Sequence, residues 1–165
     1  MTSPRRLPTR WIAITGCGLL LAGGAIGWAA ARSAAPEPVV REALAKSNHP
    51  RGAKGRVLGL SRVVIRPGAE LALHHHQGTQ IARISKGTLT YTVHTGSVTV
   101  RRGDADERPR VVRRIRAGQT GRIRAGSWIV EQPNDHHSAA NRGSKRIVIY
   151  LATLLKRGAP PSTPG

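Results

Sequence analysis

From Arg56 onward, turn-forming residues interrupt the chain about every eight to ten positions, and the runs between them are too short for helices of ordinary length. VLGLSRVVI ends at Pro67-Gly68, ELALH follows, and TQIARIS is closed by Lys86-Gly87. In TLTYTVHTGSVTVR, Leu89, Tyr91 and Val93 alternate with threonines and His94; Thr95-Gly96 then turns the chain toward Val98 and Val100, which predicts a hairpin. The phrase IRAG occurs at residues 115–118 and again at 123–126, an interval that suits a turn after each of two short strands and is too brief for a solenoid. RIVIYLATLL, residues 146–155, is continuously apolar and reads as a strand buried on both faces. Many short strands separated by turns imply an all-β, antiparallel sandwich or barrel. A chain of 165 residues has room for one such core. That core has to be aliphatic around Tyr91, Trp128 and Tyr150, because there is no Phe and both other tryptophans, Trp11 and Trp28, lie far upstream.

Within this β pattern, Gly68 and Gly87 bracket a histidine cluster. Five residues separate Gly68 from His74, His76 follows at i+2, and Gln80 lies four further on. Side chains at i and i+2 of a strand project from one face, so His74 and His76 aim two imidazoles at one point while His75 turns away. Two neutral imidazoles converging in a strand-built pocket begin a transition-metal site. Downstream, PNDHHSAANRG supplies Pro133, His136, His137 and Asn141.

These spacings resemble the two motifs of the cupin superfamily. In the first motif a glycine is followed after five residues by His-x-His, then by a glutamate and a closing glycine. Every position matches but one, since Gln80 stands where the family has glutamate. The second motif is matched more loosely, by Pro133 and by His137 with Asn141 after three residues; Asp135 replaces a glycine, His137 arrives one residue early, and Gly126 lies one residue further from Pro133 than the pattern has it. The resemblance covers residues 56–155 and implies a single antiparallel jelly-roll barrel. It also implies one divalent transition metal, whether iron, zinc, nickel, copper or manganese, held in the barrel mouth by His74, His76, Gln80 and His137. His136 is the alternative third ligand, and His137 is favoured because it keeps the spacing to Asn141. A neutral amide oxygen at Gln80 is a weaker ligand than a carboxylate and leaves the charge of the ion uncompensated, which penalises hard ions such as manganese most. Glu131 and Asn141 read as groups facing the cavity and orienting a ligand or His137. His75 and His136 read as exposed neighbours, and His94 as a surface residue of the hairpin.

Ahead of the β region, Arg5, Arg6 and Arg10 precede an uncharged apolar run over residues 11–31 that ends in Ala29-x-Ala31. This predicts an N-terminal apolar helix over residues 1–31, as a cleaved secretory signal or an uncleaved signal-anchor that spans the membrane. Either one delivers the domain outside the cytoplasm, membrane-anchored or secreted. Residues 32–55 read as a linker in which PVVREALAKS forms a short helix, and residues 156–165 as a disordered tail. The only cysteine, Cys17, lies in the apolar run, so the domain has neither a disulfide nor a thiolate metal ligand.

The formal net charge is +19, and without Arg5, Arg6 and Arg10 it is still +16. Such a field attracts anionic membrane or cell-wall surfaces. The arginines between Arg108 and Arg116 concentrate around one loop and its flank. An export signal and the scarcity of aromatic stacking platforms argue against nucleic acid as a partner. Three function classes follow: a metal-dependent enzyme of the dioxygenase, decarboxylase or lyase kind, a binding module for a metal or small-molecule ligand, and a basic cell-surface module without metal. The resemblance adds a homodimer as a candidate assembly.

Overall fold

The computed structural model describes residues 37–165, and the N-terminal apolar helix read from residues 1–31 lies outside them. Twelve strands run in sequence: β1 Val39–Ser47, β2 Arg56–Ile65, β3 Glu70–His75, β4 Gly78–Lys86, β5 Thr88–Val93, β6 Ser97–Arg102, β7 Arg110–Arg116, β8 Thr120–Arg124, β9 Ser127–Glu131, β10 His137–Ala140, β11 Ile147–Lys156 and β12 Thr163–Pro164. They form a seven-stranded sheet in the order β1-β2-β11-β4-β9-β6-β7 and a five-stranded sheet in the order β12-β3-β10-β5-β8. Every pairing is antiparallel. Among the described residues no helix is long and apolar enough to cross a membrane.

The strand alternation read from the sequence places the core between the two sheets. Ile65, Ile84, Ile115, Ile123, Ile129 and Ile147 are wholly buried there, and Tyr91 is the aromatic among them. Trp128 and Tyr150 were expected beside it, but both face outward. Trp128 alternates with the inward Ile129 on β9, stacks under Arg101 and donates to the Gly103 carbonyl, and Tyr150 alternates outward on β11.

Turn chemistry explains the bracketing glycines. Gly68 and Gly87 have φ of +77° and +81°, a region that costs any residue with a Cβ, and a Cβ at Gly87 would press on Ile147 and the Arg146 carbonyl. The two IRAG phrases end β7 and β8, each at a glycine in the same region.

Four sequence readings are corrected by the fold. Residues 39–47, read as a helix in a linker, are a strand paired with β2 from Val39↔Ile65 to Ser47↔Leu58. Almost all of its residues are exposed, so the backbone ladder of the neighbouring strand overrides the helix propensity of an alanine-rich run and leaves no apolar alternation to read. The hairpin over residues 88–102 is instead a corner: β5 pairs with β8 and β10, whereas β6 pairs with β7 and β9 in the other sheet. An inward-outward alternation is the same in a hairpin and in a strand that changes sheets, so the pattern does not distinguish them. β11 is buried on both faces only from Ile147 to Ile149 and alternates beyond. The tail read as disordered adds β12 to the free edge of β3, with Thr163 opposite His75 and Pro164 opposite His74.

Candidate metal centre

His74 stands near the end of β3 and His76 just past it, while His137 opens β10 directly opposite His74 in the ladder. Strand alternation turns His74 and His76 inward together, and cross-strand pairing brings His137 to them. The three offer one ring nitrogen each, all within 4.8 Å of one another. Ring centroids are 5.0 Å apart for His74 and His76, 4.4 Å for His74 and His137, and 5.1 Å for His76 and His137.

The other nitrogen of each ring is taken by the backbone. His74 Nδ1 donates to the Ala72 carbonyl at 2.7 Å, His76 Nδ1 to the Pro161 carbonyl at 2.8 Å and His137 Nδ1 to the Asp135 carbonyl at 3.1 Å. A carbonyl only accepts, so Nδ1 carries a proton in all three, and in the neutral ring Nε2 keeps its lone pair. Burial pushes His76 down to about 4, opposed by the nearby Glu131 charge and the Pro161 hydrogen bond, and burial also lowers His74. At neutral pH both rings are therefore uncharged, the form a metal ion needs.

Gln80 and Glu131 complete the polar floor. They are directly opposite each other on β4 and β9, both inward and both buried at 4% exposure. The Gln80 amide donates from Nε2 to His76 Nε2 at 2.9 Å and to Glu131 Oε2, while its Oε1 is buried without a hydrogen-bond partner. Gln80 thus shows the site its donor end. Tyr91 Oη donates to Glu131 Oε1 at 2.8 Å, its ring stacks on His137, and burial first and Glu131 second raise its phenol far above the ordinary value.

Asn141 does not reach the cavity. Its Nδ2 donates to the Ile65 and Lys145 carbonyls and its Oδ1 accepts from the Gly143 amide, which ties the turn after β10 to the end of β2. His75 faces the opposite side from His74, against His136 at 4.7 Å, and the His136 ring is hydrogen-bonded to the Thr95 hydroxyl. The half-buried His136 is thus separated from the triad by strand alternation, and the exposed His94 bonds to Ser138. Tyr91 and Arg41 were not singled out for the site. The alternation of Leu89, Tyr91 and Val93 pointed inward, whereas Arg41 lies on a strand with no readable pattern.

A cavity of about 270 Å³ opens onto the triad. Leu71, Leu73, Leu89, Ile149 and Leu151 form apolar walls, and Arg41 from β1, largely exposed, stands at its edge. Burial of part of the guanidinium lowers its pKa, with the Glu131 charge acting the other way. Three converging imidazoles with a common Nδ1–H arrangement, beside a buried carboxylate, fit a divalent transition ion.

Two antiparallel sheets enclosing such a histidine cluster define a barrel of the cupin type. The crystal structure of a cupin 2 domain-containing protein from Halorhodospira halophila is similar at a TM-score of 0.50, with 10% identity over 77% of this chain and 70% of that one. A cupin superfamily protein from Desulfitobacterium hafniense has a TM-score of 0.47 and 16% identity over 72% of this chain and 78% of its own. A Cupin 2 conserved barrel domain protein from Salinispora arenicola has a TM-score of 0.46 and 15% identity over 70% and 74%. At these identities the likeness is one of fold. No protein-family model matches the chain, and no curated protein matches it.

Proposed function

We propose that this chain is a metal-binding domain of the cupin type, which holds one divalent transition ion through His74, His76 and His137 and presents it to a small molecule in the adjoining cavity. The observation behind this reading is the common arrangement: backbone carbonyls of Ala72, Pro161 and Asp135 hold all three Nδ1–H groups, and the three Nε2 atoms converge, that of His76 also meeting the Gln80 amide. Such a supporting shell orients metal-ligating histidines and raises their basicity. When bound, the ion supplies Lewis acidity toward an oxygen of the bound molecule. The chain's own residues do the rest: leucine and isoleucine walls exclude water around an apolar body, and Arg41 at the edge favours a small organic anion.

Metal analysis of protein prepared without a histidine tag tests the reading. Up to one late first-row divalent ion per chain is expected. Changing His74, His76 or His137 to alanine removes most of it, and His75→Ala leaves it in place. Equal metal content in the wild type and a His74/His76 double variant would falsify the site.

A further inference from the structure

Among the described residues the carboxylate in the cavity has no ion pair with a lysine or arginine, and Arg41 at the cavity edge feels its charge from further off. Among the described residues, the groups within ion-pair range of the buried Glu131 are two imidazoles, with Oε2 3.6 Å from His76 Nε2 and Oε1 3.5 Å from His137 Nε2. In their neutral form both rings carry the proton on Nδ1, toward Pro161 and Asp135, and the nitrogen facing each carboxylate oxygen is then a lone-pair acceptor. The Gln80 amide bridges the two acceptors on the His76 side, while on the His137 side acceptor faces acceptor, and a buried anion without a counter-charge is costly unless a cation lies among these atoms. Tyr91 donates to one oxygen and Gln80 to the other, which fixes the carboxylate plane and leaves a second lone pair on each oxygen.

We propose that Glu131 supplies the anionic oxygen of the metal site, and that Gln80 and Tyr91 are positioning residues that hold it. The inference rests on the metal reading above. The cupin pattern places its glutamate at position 80. Here that position carries an amide, and the acid stands directly opposite on the adjacent antiparallel strand, where facing Cβ atoms are about 5 Å apart. The carboxylate has moved one rung across the sheet, and the amide left behind donates to it. For Gln80 to ligate through Oε1, its amide would have to turn and release Glu131.

The test uses the full chain loaded with cobalt(II) for its visible spectrum and with zinc(II) for competition titration. Glu131→Gln is expected to weaken zinc binding by more than the roughly 10- to 100-fold that loss of an outer hydrogen-bonding partner costs, and to change the cobalt spectrum. Tyr91→Phe stays within that 10- to 100-fold range and leaves the spectrum near that of the wild type. The exchange variant, Gln80→Glu with Glu131→Gln, restores a carboxylate across the same rung and recovers most of the affinity. It also guards against a single variant that merely fails to fold. Wild-type affinity and an unchanged spectrum in Glu131→Gln, with binding lost in the His74/His76 double variant, overturn the role of Glu131 and leave the triad standing. An exchange variant that folds yet binds no better than Glu131→Gln overturns it as well. Failure of the wild type to bind either ion overturns the metal reading first.

Discussion

Asn141 and His137 are separated by three residues and do different work. Asn141 is 1% exposed and hydrogen-bonds two carbonyls and an amide, whereas His137 points into the cavity. Asn141→Ala removes three hydrogen bonds, each worth about 0.5–1.5 kcal/mol net. Chemical denaturation should show a loss of roughly 3 kcal/mol, with zinc affinity of the folded protein within a few-fold of the wild type. A large drop in affinity at unchanged stability would assign Asn141 to the site instead. The histidine positions were legible because i, i+2 spacing fixes a face without further information, and the spacing to Asn141 separated His137 from His136. The Gln80–Glu131 pairing was not legible. Which residues of two distant strands stand opposite is a matter of register, and 51 positions separate these two in the chain.

The last strand shows how an element with little core of its own becomes part of the site. β12 is two residues long, yet it pairs with His75 and His74, Gly165 donates to the Leu73 carbonyl, and the Pro161 carbonyl just ahead of it accepts from His76 Nδ1. Composition marked GAPPSTPG as disordered because it has almost nothing apolar to bury; its order comes from an open strand edge elsewhere in the chain. β1 escaped the sequence for the same reason, being held by the ladder of β2 while exposed on both faces. A strand with one buried face, such as β5, could be read from its alternation. A chain ending at Gly158 removes the acceptor of His76 Nδ1 but none of the core. Its melting should remain cooperative, while zinc affinity falls about tenfold, as for loss of an outer partner of a ligating histidine. Zinc competition titration against the full chain measures this, and unchanged affinity would show that the tail does not orient His76.

Across the whole chain the charge is far from zero, +19 with only eight acidic residues, and the structure shows where part of it is exposed. β7 is the last strand of the seven-stranded sheet and presents Arg110, Arg113, Arg114 and Arg116 to solvent, with Val111 60% and Val112 45% exposed among them. Arginines on an edge strand discourage pairing with a second edge, which is one reason for their presence. They also combine positive charge with apolar surface, the chemistry that adheres to an acidic lipid headgroup layer. Arg62 differs, since it is paired with Glu42 at 3.4 Å and adds little free charge to its surroundings. The chain should therefore bind vesicles containing phosphatidylserine at low salt and not neutral ones. Raising the salt from 0.1 M to 1 M shortens the screening length from about 10 Å to about 3 Å, so co-sedimentation should fall steeply over that range. Replacing the four β7 arginines with glutamine should weaken binding several-fold more than replacing Arg62, because the first change removes a cluster of charge from one edge strand and Arg62 is already paired. Co-sedimentation indifferent to salt would remove the electrostatic account, and equal losses from both replacements would mean that the attraction comes from the summed charge of the molecule and not from the β7 edge.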